Sequence, residues 1–253
     1  MTHKARQAAG AQPPGTTDEA TAARLIQKLF SDVAGRYDLL NHLLSLNVDR
    51  YWRRETARQF SHLLSRPGAR ALDLCCGTAD LGLAFTRRGS APVFFCDFSY
   101  PMLARAQAKL RRHALPSLVA QADALHLPFP DNSFDLVACS FGFRNLANYG
   151  SGLREIWRVL RPGGEVGILE FSEPNGRWAG PLYSFYFHRI LPTVGEWISG
   201  VPGSYSYLPR SVDQFPGREE FARCMREVPF ANVRVREFTW GIAVLYAGAK
   251  PKF

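Results

Sequence analysis

The sequence of 253 residues lacks the features of several classes of protein. No apolar run is long enough to cross a bilayer, and residues 1–6 do not begin the apolar core of a signal peptide. The five cysteines form no CxxC pair, and no histidine stands at metal-ligand spacing. We therefore expect a cytoplasmic protein with reduced thiols and no metal site.

Glycine is sparse in the stretch around which the chain is organised, residues 71–80. This apolar run ends at Gly77, a pattern typical of a buried strand that turns into a helix. It has one glycine where the dinucleotide fingerprint has three, which argues against a bound pyrophosphate. About twenty residues later Asp97 ends a second apolar run, in the position of a ribose hydroxyl acceptor. Gly77 and Asp97 together predict a nucleoside cofactor. A glycine such as Gly77 would also be used in a tight turn of any α/β protein.

Strands and helices alternate from Arg70 onward, which predicts parallel βαβ units with helices on both faces of a sheet. Ligands of such sheets bind beyond the carboxyl ends of the strands, where the polar residues of this chain also fall, Ser140 and Glu170 among them. The predicted strands are 70–76, 92–97, 117–121, 134–140, 165–171, 233–238 and 242–248, and the predicted helices are 79–88, 100–113, 149–160 and 221–230.

Two segments stand outside this alternation. Residues 1–20 are small or polar and predict a disordered tail, and residues 21–65 have apolar positions at helical spacing. Residues 172–216 combine many aromatic side chains with prolines and charges, too polar to cross a bilayer and too aromatic to lie fully in water. They could form a lid at a membrane interface, roof the core, or make a dimer contact.

The sequence resembles a known family at several motifs. The turn at 73–80, followed by Asp97 and then by Asp123 and Ala124, resembles the S-adenosylmethionine pocket of class I methyltransferases. Residues 37–52 and 158–172 resemble the two signatures of the ubiquinone/menaquinone C-methyltransferases. The similarity runs from about residue 30 to residue 250, nearly the whole chain.

This resemblance implies a fold and a cofactor. The fold is a doubly wound, mostly parallel, seven-stranded Rossmann-like sheet with an antiparallel C-terminal hairpin. It forms a single domain, residues 21–253, with an N-terminal helical cover at 21–65 and an aromatic lid at 172–216. The cofactor is S-adenosyl-L-methionine, and the residues implied to bind it are Asp73, Gly77, Thr78, Asp97, Asp123, Ala124 and Ser140.

The resemblance also implies a reaction, the C-methylation of a polyprenylated quinol, with demethylmenaquinol as the first candidate. The alternatives are the ubiquinone-pathway benzoquinol and a non-catalytic cofactor-binding scaffold. The segment ending in Arg144 and Asn145 is implied to be catalytic: Arg144 would stabilise a phenolate or orient a water, or else form a salt bridge under the lid. Tyr37 and Asp38 are candidates for contacting substrate hydroxyls. Asp49 stands where the family often has histidine, so no general base is assigned there.

The net charge of +9 attracts nucleic acid and anionic lipid alike. A nucleic-acid methyltransferase is disfavoured because no Asn-Pro-Pro-aromatic segment follows the fourth strand. We therefore expect contact with anionic lipid at the inner face of the membrane, where a tailed quinol resides. A homodimer or a complex of quinone biosynthesis is a further expectation.

Overall fold

The computed structural model describes residues 10–16, 18–35, 45, 47–116, 118–174, 189 and 207–252. Within them a seven-stranded sheet has the order β3-β2-β1-β4-β5-β7-β6. β1 to β5 are parallel, and β7 is antiparallel to both of its neighbours. The strands are β1 (Ala71–Leu74), β2 (Val93–Asp97), β3 (Val119–Gln121), β4 (Phe134–Ser140), β5 (Leu160–Phe171), β6 (Ala231–Phe238) and β7 (Ala243–Ala249).

Helices cover both faces of this sheet, which is why its central strands β1 and β4 are almost entirely buried and mostly apolar. Leu136 and Val137, neighbours in β4, belong to different hydrophobic clusters, one under α2, α4 and α5 and one under α6 and α8. Every helix of the described part is too short or too polar to span a membrane. The helices are α1 (Glu19–Val33), α2 (Val48–Gln59), α3 (Ser61–Leu64), α4 (Asp80–Thr86), α5 (Tyr100–Arg112), α6 (Tyr149–Val159), α7 (Tyr207–Gln214) and α8 (Arg218–Glu227).

The predicted fold class is confirmed, including the antiparallel C-terminal pair β6 and β7. The prediction for β5 is wrong at its start, because the strand begins at Leu160 and not at residue 165. Residues 162–164 do not interrupt β5, which pairs with β4 on both sides of them. Instead the register with β4 shifts, and Gly163 takes a φ of +79° so that the strand continues past the irregularity.

The first described residues correct the predicted tail. Ala11 is buried, and its N–H donates to the carbonyl oxygen of Leu146 at 2.7 Å. Gly10 lies so close to the backbone of Ala147 that a Cβ would not fit. Of the segment predicted to be disordered, Gly10, Ala11 and Pro13 therefore pack on the domain, and Glu19 and Ala20 begin α1. Small side chains allow this backbone approach, and a count of apolar residues does not reveal it.

Candidate active site

A cavity lies at the carboxyl ends of β1, β2 and β4, where the sequence places the site. Gly77, Asp97 and Ser140 line it, as do Asp123 and Ala124 after β3. These are five of the seven residues implied to bind the cofactor. Asn145, implied to be catalytic, lines the same cavity.

The turn after β1 forms one wall of the cavity. Cys75, Gly77 and Ala79 all have positive φ, at 51°, 53° and 73°, so the chain leaves the strand in a tight left-handed path. Gly142 closes against this turn, and a Cβ there would lie 2.6 Å from the Cβ of Cys75. A ligand in the cavity can therefore approach the main chain directly at Gly77.

Asp97 joins the tip of β2 to this turn. Its Oδ2 accepts from the N–H of Gly77 at 2.8 Å, and its Oδ1 accepts from the N–H of Ser99 at 2.9 Å. Burial raises the pKa of Asp97 to about 6, although the backbone N–H groups favour the ionised form. The carboxylate is thus charged at neutral pH, and each oxygen keeps a lone pair for a ligand hydroxyl.

The structure places Asp73 outside the cavity lining, beneath α4. Only 1% of the residue is exposed, and its Oδ2 accepts from the N–H of Gly82 at 2.8 Å. Its Oδ1 has no hydrogen-bond partner among the described residues. Burial raises the pKa of Asp73 to about 8, so this acid is neutral at pH 7. A motif at the end of β1 locates this carboxyl but not the direction in which it points.

Thr78 also differs from the expectation, since it is not among the residues that line the cavity. Its hydroxyl accepts from Nζ of Lys109 at 3.1 Å, and the same ammonium pairs with Asp80 at 2.9 Å. The side chain of Thr78 therefore links the turn to α5.

Asp123 and Ser140 line the cavity from β3 and β4, two strands that are separated in the sheet by β2 and β1. The Oδ1 of Asp123 accepts from the N–H of Leu125 at 2.9 Å, and its side chain remains half exposed. The hydroxyl of Ser140 accepts from Nε of Arg53 at 3.4 Å. Arg53 pairs in turn with Asp49, so α2 is tied to the cavity through Ser140.

Arg144 is held in a buried network next to the cavity and is not among its lining residues. Its Nη1 pairs with Glu170 at 2.9 Å and also donates to the carbonyl of Phe141, while its Nε donates to Ser211 at 3.1 Å. Glu170 is fully buried, and it also accepts from the backbone N–H of Arg144. The described contacts match the salt-bridge interpretation of Arg144.

Asn145 is oriented by Tyr207 of α7, whose hydroxyl donates to Oδ1 of Asn145 at 3.1 Å. Burial raises the pKa of Tyr207 to about 12, so this phenol remains a donor at neutral pH. The sequence gives no signal for Tyr207. Glu170 is recognisable only by its place at the end of β5. Tyr37, Asp38 and most of the predicted lid lie outside the described residues.

Helix α1 covers the cavity from above, with Ala23 and Phe30 in its lining. Gln27 donates to the carbonyl of Phe98 at 2.6 Å, and the hydroxyls of Ser31 and Ser99 are 3.1 Å apart. This helix forms part of the predicted N-terminal cover.

Solved structures share this fold at low sequence identity. An S-adenosylmethionine-dependent methyltransferase of Aquifex aeolicus matches with a TM-score of 0.55 and 15% identity over 93% of this chain and 100% of its own. The [4+2]-cyclase SpnF matches with a TM-score of 0.59 and 18% identity over 79% and 80%. Such likeness concerns the fold alone, and the cyclase illustrates that a fold does not dictate a reaction. Fold and edge cavity together define a Rossmann-like α/β protein with a ligand site at the carboxyl edge of its sheet.

The chain belongs to the ubiE/COQ5 methyltransferase family, whose model matches residues 17–250. The demethylmenaquinone methyltransferase of Deinococcus radiodurans is 42% identical over 94% of this chain and 97% of the relative. That of Thermus thermophilus is 45% identical over 88% and 100%. The ubiquinone/menaquinone biosynthesis C-methyltransferase of Geobacter sulfurreducens is 42% identical over 89% and 88%. The family recognised from the sequence is confirmed, and the protein is a methyltransferase that uses S-adenosyl-L-methionine.

The cavity fits this cofactor in its chemistry. An ionised carboxylate at Asp97 suits a ribose diol and favours a sulfonium cation nearby. The space at Gly77 and Gly142 lets a ligand lie against the main chain. The half-exposed carboxylate of Asp123, with the small Ala124 beside it, suits the amino group of an adenine.

Proposed function

We propose that this methyltransferase methylates a ring carbon of a polyprenylated quinol, and that its substrate is demethylmenaquinol and its product menaquinol. The observation that carries the proposal is the match, over nearly the whole chain, to relatives named demethylmenaquinone methyltransferase. The relative from Geobacter sulfurreducens supports a second candidate, the benzoquinol of the ubiquinone pathway.

The reaction needs an activated ring carbon. The bound cofactor supplies an electrophilic methyl group on sulfur. The hydroquinone must lose a hydroxyl proton to become a good carbon nucleophile, and an ordinary phenol has a pKa of about 10. The protein must therefore align the ring and stabilise the charge on its oxygen. We assign the contact with this oxygen to Asn145, because Tyr207 engages its amide oxygen and the NH₂ group is the remaining donor.

Arg144 is a positioning residue in this proposal. Its charge is compensated by Glu170, which reduces its capacity to stabilise a phenolate directly. Its contacts with the carbonyl of Phe141 and the hydroxyl of Ser211 link the segment before Asn145 to α7, the helix that carries Tyr207. Tyr37 and Asp38 are proposed to contact the substrate hydroxyls.

We further propose that the protein acts at the inner face of the membrane, in contact with anionic lipid. A long polyprenyl tail keeps the quinol in the bilayer, and the net charge of +9 favours an anionic surface. Residues 172–216 are proposed to close over the substrate, and association as a homodimer or within a biosynthetic complex remains a prediction.

The test uses purified protein, S-adenosylmethionine and two short-tailed quinols, a demethylnaphthoquinol and the corresponding benzoquinol, with products weighed by mass spectrometry. Methylation of the naphthoquinol at the higher kcat/KM is expected. A higher kcat/KM for the benzoquinol would assign the ubiquinone pathway. Cofactor binding without methylation of either quinol would contradict the proposed reaction and indicate a non-catalytic cofactor-binding scaffold. In cells lacking the protein, membrane quinones lighter by one methyl group are expected.

A further inference from the structure

An open groove of about 900 Å3 runs between α2, α4 and α5, on the face of the sheet opposite α6 and α8. Basic side chains dominate its walls. Three come from α2, two from the residues after α4, and three from the last turns of α5 and the residue after it: Arg50, Arg53, Arg54, Arg87, Arg88, Lys109, Arg112 and His113.

The charge of this groove is only partly neutralised by the described part of the protein. Arg53 pairs with Asp49 and Lys109 pairs with Asp80, whereas none of the other five arginines of the lining has a carboxylate partner among the described residues. Cations at the ends of α4 and α5 are favoured by the helix dipoles. That reason does not apply to Arg54, which lies in the middle of α2, or to Arg50, which lies in the first turn of α2, where a positive charge is unfavourable. A bound anion would account for them.

Exposed aromatic side chains adjoin the groove. Tyr51 lines it with 44% of the residue exposed and packs edge-on against Phe238, with ring centroids 6.3 Å apart. Trp240, two residues further on, is 74% exposed in the turn between β6 and β7. This turn lies at the carboxyl edge of the sheet and is fastened to α2 by a hydrogen bond from Trp52 to Thr239 at 2.8 Å.

We propose that the groove, together with Tyr51 and Trp240, is the surface by which this protein docks on a bilayer that contains anionic phospholipid. Lipid phosphates enter the groove and pair with its arginines, and the two aromatic rings lie at the level of the headgroups, where Tyr and Trp are favoured. The inference rests on the proposed function, because a polyprenylated substrate brings the enzyme to a bilayer and not to a nucleic acid.

The position of α2 connects docking with catalysis. Helix α2 forms one wall of the groove, and Arg53 of this wall donates to Ser140 in the cofactor cavity. Trp240 lies at the edge of the sheet where the cavity opens. A bilayer on this surface is therefore next to the site that its lipid substrate must reach.

The experiment measures partition of the full chain onto vesicles of phosphatidylcholine with or without phosphatidylglycerol, by cosedimentation. The variants are Arg50→Gln/Arg54→Gln and Trp240→Ala. The matched control is Arg223→Gln/Arg226→Gln, which removes the same charge from exposed positions of α8 on the opposite face. Each basic residue near an anionic surface contributes about fivefold to partition, so the first variant should bind about 25-fold more weakly and the control much less. Glutamine keeps helix propensity, and equal thermal unfolding midpoints verify the fold.

Three results would overturn the proposal. The first is equal binding to vesicles with and without phosphatidylglycerol, and the second is an equal loss of vesicle binding in Arg50→Gln/Arg54→Gln and in the control. The third is tighter binding to RNA than to vesicles, with Arg50→Gln/Arg54→Gln weakening only the binding to RNA. Partition requires no turnover, so it decides the docking surface even when the short-tailed quinols show that the proposed reaction is wrong. If the docking surface and the proposed reaction are both correct, Arg50→Gln/Arg54→Gln lowers kcat/KM for a long-tailed quinol in vesicles. The same variant leaves kcat for the dispersed short-tailed quinol unchanged.

Discussion

Asp73→Asn is expected to make the protein more stable, and increasingly so as the pH rises. The carboxyl lies beneath α4 with a folded pKa of about 8, raised by burial from a value of 3.8 and lowered in part by the N–H of Gly82. In the unfolded chain the same carboxyl ionises near its ordinary pKa. Between those two values the unfolded state loses its proton and the folded state keeps it. The free energy of unfolding therefore falls as the pH rises from about 4 to about 8.

The size of the effect follows from the pKa difference. Each pH unit above the unfolded pKa costs about 1.4 kcal/mol, so at pH 7 the wild-type fold carries a cost of about 4 kcal/mol from Asp73. Asparagine does not titrate, its oxygen can accept from Gly82, and its NH₂ stands where the neutral acid has its hydroxyl. The difference in stability between variant and wild type should thus be small at pH 4 and grow to about 4 kcal/mol at pH 7.

Urea unfolding followed by tryptophan fluorescence at pH 5, 6, 7 and 8 measures this difference. Asp123→Asn is the matched control, because it makes the same replacement at a half-exposed side chain. This replacement is expected to change the free energy of unfolding by less than about 0.5 kcal/mol. A difference for Asp73→Asn that is the same at every pH would refute the reasoning and indicate an ionised Asp73. Affinity for S-adenosylmethionine, measured by calorimetry, should be nearly unchanged, and a large loss would restore Asp73 as a cofactor ligand.

Three further changes probe the cavity and the buried network beside it. Asp97→Asn leaves one of two backbone N–H donors without its acceptor, so cofactor binding measured by calorimetry should weaken at least about tenfold. The affinity of the wild-type protein for the cofactor should decrease below about pH 6, where this carboxylate protonates. The affinity of the variant should not show this pH dependence. Gly142→Ala drives a Cβ against Cys75, so a loss of about 1–3 kcal/mol in urea unfolding is expected. Glu170→Gln leaves Arg144 as a buried, unneutralised cation, so the free energy of unfolding should fall by about 3–5 kcal/mol and kcat should decrease. An unchanged free energy of unfolding would contradict the buried ion pair between Arg144 and Glu170.

The order of elements could be predicted because its signals are local. Apolar runs of four to seven residues mark β1, β2 and β4, and the glycine and proline residues between them mark the turns. The end of β1 was placed two residues too late because Cys75 has a positive φ, which a cysteine rarely adopts. Such a conformation depends on the neighbouring chain at Gly142, which is distant in sequence.

The location of the site could be predicted, but the partners of its side chains could not. Consecutive parallel strands end at one edge, so Gly77, Asp97 and Ser140 had to meet there. The directions of Thr78 and Arg144 depend instead on which residues of α5 and β5 face them, as set by the rotation and register of packed elements. No local pattern carries that information.

The three aspartates at or just beyond the carboxyl ends of β1, β2 and β3 illustrate how environment assigns chemistry to similar positions. Asp73 meets one backbone N–H in a dry site and is neutral, whereas Asp97 meets two and is ionised at pH 7. Asp123 stays half in water. The cavity therefore holds the negative charge of Asp97 where a sulfonium is expected, although the protein as a whole carries +9. A cationic cofactor and an anionic membrane can thus be attracted by the same molecule, because Asp97 and Asp123 line the cavity, whereas the groove is lined by five arginines without a carboxylate partner in the described part of the chain.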